Sequence, residues 1–250
     1  MNSFLVTWHD ELGSTNAYLR DCVERQPDLA AGTVVAARCQ TAGRGRHNRT
    51  WIAGPGRDLA FSFLWRGNTA PESMPSLLMA VSLAVADALG AIGVDARCKW
   101  PNDVLARKKK ICGILAEFIS SAEKDVPGAG SLCAVVGVGV NVNMTVEEAV
   151  TIDRPATSVF IETGKKTTIE SVLTAILERL PRRLAQWELG GFEGLRADWE
   201  RTVHGLGLPV VIAQEDERKE GVLAGFDSHG ALRLRDKSGH EEIIMLGDVL

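Results

Sequence analysis

Apolar positions recur along the chain at two spacings, and each predicts a different element. Tyr18, Leu19, Cys22 and Val23 fall at helical intervals behind Ser14 or Thr15, either of which can cap, and the pattern stops before Pro27. A first helix is expected there. Gly32-Thr33-Val34-Val35-Ala36-Ala37 is rich in β-formers and runs into a Gly/Arg stretch, and residues 59–65 alternate with a strand period. Residues 75–89 read as an apolar-periodic helix, with Gly90 available near its C-terminal end. Short strands are expected at 96–100, 111–120 and 132–142, with the run Arg107-Lys108-Lys109-Lys110 at the turn between the first two. Residues 169–187 form a second long helix and 192–203 a third. After Gly205-Leu206-Gly207 the pattern shifts to short strand candidates at 210–212, 219–224, 231–234 and 242–245, separated by Gly, Asp and Lys turns.

The expected architecture is α+β: a mixed β-sheet domain with packed helices over residues 1–205 and a small β-barrel over 206–250. The sequence shows no internal repeat and no low-complexity tract.

Composition narrows the class. The chain has 250 residues, 45% apolar and 24% charged, which is ordinary for a folded globular protein. Its net charge of −4 argues against a protein whose main task is coating nucleic acid. Met1-Asn2-Ser3-Phe4-Leu5-Val6 has no basic region followed by an apolar stretch, so no secretory signal is read there. The longest apolar runs, such as 83–92, are broken by Asp87 and read as too short to span a bilayer. Five scattered cysteines without a Cys-x-x-Cys pair read as reduced core thiols of a cytoplasmic protein, not as disulfides or a zinc site.

Four segments carry chemistry. In Gly43-Arg44-Gly45-Arg46-His47-Asn48-Arg49-Thr50-Trp51, two glycines permit positive φ and close approach of backbone N–H groups to an anion. Arg44, Arg46 and Arg49 bring positive charge to the same place, suiting phosphate or carboxylate recognition. A solvated basic loop is the plain alternative. Lys99-Trp100-Pro101-Asn102-Asp103 ends a strand at its proline and presents Asn102 and Asp103 at the tip. Asp103 could hold Mg²⁺ beside a nucleotide or cap the next turn.

In Lys110-Ile111-Cys112-Gly113-Ile114-Leu115-Ala116-Glu117, Lys110 is the lysine of the basic run expected to face inward, and Gly113 lets a ligand approach the backbone. Val136-Gly137-Val138-Gly139-Val140-Asn141 leaves one strand face nearly bare, open to another backbone or a flat ligand. No Walker-type loop is present, Gly-Val-Gly-Val-Asn lacks the third glycine of a dinucleotide fingerprint, and Gly-Ser-Thr-Asn is not a hydrolase elbow.

Taken in order, these segments resemble biotin protein ligases. The matching features are Ser14-Thr15-Asn16 at a helix start, Gln40, Gly43-Arg44-Gly45-Arg46 with Arg49 and Trp51, and Lys99-Trp100-Pro101-Asn102-Asp103. Lys110 with Gly113-Ile114-Leu115 and Glu117, then Gly137-Val138-Gly139-Val140-Asn141, complete the set, and Gly225-Phe226-Asp227 with Gly230-Ala231-Leu232 resembles the family's terminal barrel. Asn48 stands where many members have glycine; asparagine tolerates left-handed backbone, so the loop should survive.

The resemblance implies a fold like that of class II aminoacyl-tRNA synthetases, with a C-terminal Src-homology-3-like barrel. It implies an ATP-dependent ligase that makes biotinyl-5′-AMP and passes biotin to a lysine of a biotin carboxyl carrier protein, with Mg²⁺. Biotin would be bound by Ser14, Thr15, Asn16, Gln40, Arg44, Gly45, Arg46, Lys110 and Gly113. The adenylate would be bound by Gly43, Arg44, Arg46, Arg49, Trp51, Asn102, Asp103, Lys110 and Asn141. Lys110 and Arg46 are the expected catalytic residues, and Asp103 the metal ligand. Because the chain begins at the catalytic region, the winged helix-turn-helix of the repressor members is not expected. The expectation is a cytoplasmic monomer or homodimer that binds neither DNA nor membrane. The alternatives are a lipoate or octanoate ligase of the same superfamily, and a non-catalytic nucleotide- or RNA-binding module.

Overall fold

The computed structural model describes residues 4–47, 49–119, 132–214 and 217–250. Met1-Asn2-Ser3, Asn48 and the last residue of the strand expected at 111–120 lie outside the described residues. In chain order the elements are β1 (Leu5–Leu12), α1 (Thr15–Arg25), β2 (Thr33–Gln40) and β3 (Leu59–Gly67). A 3-10 turn, Pro71–Ser76, leads into α2 (Leu77–Ala91), followed by β4 (Ala96–Lys99), β5 (Asp103–Ala106), β6 (Lys109–Ile119) and β7 (Leu132–Val140). Then come α3 (Val146–Ala149), α4 (Val159–Thr163), α5 (Ile169–Gly190) and α6 (Arg196–Thr202). The chain ends with β8 (Pro209–Gln214), β9 (Glu217–Phe226), β10 (Leu232–Arg235), β11 (Glu241–Ile244) and β12 (Asp248–Val249).

The fold is α+β. Seven strands form a mixed sheet in the order β1-β2-β3-β7-β6-β5-β4, parallel at β1/β2 and antiparallel at the other pairings. The turn between β5 and β6 carries positive φ at both Arg107 and Lys108, a geometry that matches the twist of a tight hairpin.

Strand periodicity sorts the side chains onto two faces. Phe61, Phe63 and Trp65 of β3, with Val136, Val138 and Val140 of β7, join the main core with α2 and α5. Leu64, Val135 and Cys133 point the other way and pack beneath Leu19 and Val23 of α1. Both faces of β3 are therefore covered, and every residue from 59 to 65 is buried instead of only alternate ones.

The expectation about apolar runs needs correcting. Pro71–Ala91 is helical over 21 residues and contains an 18-residue window of mean hydropathy 1.6, enough by length and composition to cross a membrane. It is instead a core helix: 72% of its apolar window is buried, against the sheet and α5. Asp87 does not interrupt it, because the carboxylate lies 2.7 Å from the buried guanidinium of Arg183, which also pairs with Asp198.

The C-terminal strands make a second sheet in the order β11-β10-β9-β8-β12. It is an open sheet: among the described residues β11 and β12 stand at opposite edges without pairing. Its Ile212, Leu223, Phe226 and Leu232 belong to the same core as the first sheet. Trp100 donates to the carbonyl of Gly230 (3.1 Å), and Arg196 donates to those of Phe226 and Asp227, which seats this sheet against β4 and α6.

Candidate active site

On the face that carries α1, large side chains fill the space under the helix and small ones continue beyond its start. In register, Gly113 pairs with Gly139, which pairs with Ala60; one step away Leu115 pairs with Gly137, which pairs with Ser62. The missing side chains leave a cavity of about 470 Å³. Protein groups already lie against the bare strand. A Cβ on Gly139 would stand 2.4 Å from the Trp51 indole, one on Gly137 would stand 2.2 Å from Asn16 Oδ1, and one on Gly113 would stand 3.0 Å from the Lys110 side chain.

The start of α1 forms the polar end of the cavity. Ser14 caps the helix, its hydroxyl accepting from the amide of Ala17. Gln40, at the end of β2, accepts at Oε1 from the Thr15 amide (2.8 Å) and hydroxyl (3.2 Å). The Ser62 hydroxyl donates to Asn16 Oδ1 (2.6 Å) and lies 2.7 Å from Thr15 Oγ1. Thr15, Asn16 and Ser62 are all buried.

The Gly/Arg segment folds over the other end as a short hairpin. Trp51 N donates to Gly43 O (3.0 Å), Gly45 N to Arg49 O (2.7 Å), and Arg44 bridges Thr50. The reading of the glycines as positive-φ positions is corrected: neither adopts it, and among the hairpin's described residues His47 does, at 54°. Gly43 is needed for close packing, because a Cβ there would meet the Trp51 carbonyl oxygen at 2.7 Å.

Arg46 donates to Asn102 Oδ1 (3.1 Å), to the carbonyl of Gly247 (3.3 Å) and to Asp248 Oδ1 (3.0 Å), and Arg49 donates to Asp248 Oδ2 (2.9 Å). Burial pushes the Asp248 carboxyl up, but Arg46 and Arg49 outweigh it and hold the group below the ordinary carboxylate range.

Lys110 enters the cavity from the start of β6. Its ammonium lies 2.6 Å from Asp103 Oδ1 and 5.7 Å from the centre of the Trp51 ring. Its backbone is clamped by the segment after α3: Lys110 N donates to Pro155 O and Thr157 N donates to Lys110 O, both at 2.9 Å. Asn141 donates to the carbonyl of Thr157 (3.0 Å), and Asn102 to that of Ile114 (2.6 Å). These two amides are tied into the backbone while also lining the cavity.

All the residues expected from the sequence line this one cavity except Gly43, which supports the hairpin from behind. Four lining or supporting residues were missed. Asp248 sits on the two-residue strand β12, too short to give a periodic signal. Arg154 follows Asp153 in a loop with no pattern of its own, and only the fold brings it to the cavity. Ser62 and Ala60 are visible in the sequence only as small residues inside a strand of large ones, a signal that needs β3's register to read.

Cys98, Cys112 and Cys133 are buried and all five cysteines are free. Burial pushes the thiols of Cys98 and Cys112 well above the ordinary range, and no cysteine lines the cavity. Among the described residues no group of three or more His, Cys, Asp or Glu could hold a metal ion.

The sequence profile of the Biotin/lipoate A/B protein ligase family matches residues 11–141. The chain is 34% identical over 238 residues to the "Biotin--[acetyl-CoA-carboxylase] ligase" of Paracoccus denitrificans, covering 92% of this chain and 94% of that protein. The chain belongs to the biotin protein ligase family. It is 30% identical to the "Bifunctional ligase/repressor BirA" of Escherichia coli, over 89% of this chain and 67% of that one. Its structure superposes with a TM-score of 0.77 on the biotin protein ligase of Aquifex aeolicus in complex with biotin and ATP, at 29% identity and with 98% and 97% of the two chains covered. Membership makes the chain an enzyme, a ligase, and makes the cavity between α1 and the hairpin its candidate active site.

Proposed function

We propose that this ligase activates biotin with ATP and transfers it to a lysine of a biotin carboxyl carrier protein. The observation that carries the reading is convergence. One cavity has hydrogen-bonding groups at the α1 end, a floor stripped of side chains in the middle, and Lys110 with the arginine hairpin at the other end. That sequence of surfaces suits a small apolar bicycle with a polar ureido head and a carboxylate tail, followed by a nucleotide.

In the first step a biotin carboxylate oxygen attacks the α-phosphorus of ATP, and the bond to the departing pyrophosphate breaks. Two anions must meet, and at 4 Å one such pair repels by about 4 kcal/mol at an effective dielectric of 20. Lys110 supplies the ammonium between the carboxylate and the α-phosphate, while Arg44, Arg46 and Arg49 face the phosphates. In the second step the carrier's amine attacks the acyl carbonyl of biotinyl-5′-AMP, loses its proton, and AMP leaves. The mixed anhydride must be shielded from water until then. The hairpin covers it, with Trp51 as the apolar lid and Arg46 holding the phosphate. Gly45, Gly113, Asn102 and Asn141 let backbone and amide groups reach the ligands closely.

Asp103 fits the single-carboxylate requirement of a magnesium ion that arrives with ATP, since such ions take one or two carboxylates and complete their shell with phosphate and water. Magnesium held there would neutralise charge on the polyphosphate. The same reading divides the chain at 205/206 into a catalytic unit and a C-terminal unit with Src-homology-3-like curvature. Five free thiols, three of them buried, suit a reducing compartment such as the cytoplasm. With no cysteine in the cavity, a cysteine-dependent acyl transferase has no nucleophile to use there. Pyrophosphate release that requires both biotin and ATP tests the proposal; release with lipoate in place of biotin, or none at all, rejects it.

A further inference from the structure

Ser62 is the single polar side chain in the buried stretch 59–65, and it is 0% exposed. Alanine would pack as well in a strand, and a hydroxyl buried among apolar groups is unfavourable unless it is bonded. Its described partners are two residues of the cavity, Thr15 and Asn16.

Counting protons shows what those partners can offer a ligand. Asn16 spends its amide hydrogens on the Leu115 carbonyl (3.3 Å) and Glu117 Oε1 (3.2 Å), and its oxygen receives the Ser62 proton. Glu117 is itself held by Arg20, 3.6 Å away. Thr15 has one hydroxyl proton, and both groups within reach of it, Gln40 Oε1 and Ser62 Oγ, belong to the protein. Toward the cavity, the side chains of Thr15 and Asn16 therefore have only lone pairs left.

We propose that Ser62 and Glu117 are positioning residues that lock Thr15 and Asn16 as acceptor-only groups, so that the cavity selects a head group carrying N–H donors. The inference rests on the ligase reading and names the specificity of that same cavity. An acyl acid whose head is a hydrocarbon or a cyclic disulfide has no N–H to give, and would leave buried lone pairs unmatched, the situation in which sites discriminate most strongly.

The test is steady-state pyrophosphate release by the whole chain, with biotin and ATP varied separately and thermal unfolding followed in parallel. Ser62→Ala should raise the KM for biotin about tenfold while kcat and the KM for ATP stay within about twofold of wild type. Glu117→Ala should shift the biotin KM the same way, and Glu117→Gln, which keeps an acceptor for Asn16, should restore it. A folded Ser62→Ala with unchanged biotin KM, or with the KM for ATP rising equally, overturns the inference. Should Ser62→Ala not fold, the Glu117 pair decides, and equal biotin KM for Ala and Gln overturns it. Wild-type protein that releases no pyrophosphate with biotin overturns the ligase reading itself, an outcome distinct from both.

Discussion

The guanidinium of Arg46 and the carboxylate of Asp248 lie 3.0 Å apart although 202 residues separate them in the chain. Their side chains are only 19% and 16% exposed, so solvent screens the pair less than it would a surface salt bridge. Arg49 binds the second oxygen of the same carboxylate. The last strand thus holds the hairpin over the cavity, reducing the ordering left for substrates to impose. Asp248→Asn should raise the KM for ATP several-fold and speed hydrogen exchange of the hairpin amides. Exchange at wild-type rates would show that Asp248 does not hold the hairpin.

The latch also has a pH signature. Asp248 has a folded-state pKa below its unfolded value of about 3.9, so its stabilising contribution is complete above that value and is lost as pH falls through the depressed one. Hairpin exchange in wild type should accelerate as pH drops below about 4, after correction for intrinsic rates, and Asp248→Asn should lack that component. Identical pH profiles for the two proteins would contradict it.

Arg46→Gly removes the cation proposed to hold the adenylate. Biotinyl-5′-AMP should escape faster, by tenfold or more for a charge-assisted hydrogen bond worth about 1.5–3 kcal/mol, and lysines of bystander proteins should become labelled. Filter-retained adenylate at wild-type levels would remove Arg46 from that role.

Gly139→Ala would bring a methyl group to 2.4 Å from the Trp51 indole, and Gly137→Ala one to 2.2 Å from Asn16 Oδ1. The two variants should separate functionally. Gly139→Ala should shorten adenylate lifetime, and Gly137→Ala should raise the biotin KM. Equal effects on both quantities from either glycine would mean that the bare strand face is a packing feature only.

Much of this was legible in the sequence because it depends on local rules. Ser14 caps a helix, Val-Gly alternation bares one strand face, and residues 210–245 carry strand and turn signals. What stayed hidden depends on register or distance. The pairing of Ser62 with Gly137 exists only once β3 and β7 are aligned. Asp248 lies on a strand of two residues and acts on a loop at the far end of the sequence. The first strand, Leu5–Leu12, was not predicted: it is a half-exposed edge strand whose Asp10 and Glu11 break the alternation. The C-terminal strands pair as an open sheet; the pattern reports strands and turns but says nothing of closure.

The central claim is that Lys110, held by Asp103 at 2.6 Å, is the ammonium that lets two anions react. Mass spectrometry of a carrier domain incubated with this protein, biotin and MgATP tests it most directly. The account predicts a gain of one biotin with wild type and none with Lys110→Ala, whose folding is checked by its unfolding midpoint. A folded Lys110→Ala that still loads the carrier at the wild-type rate would contradict it.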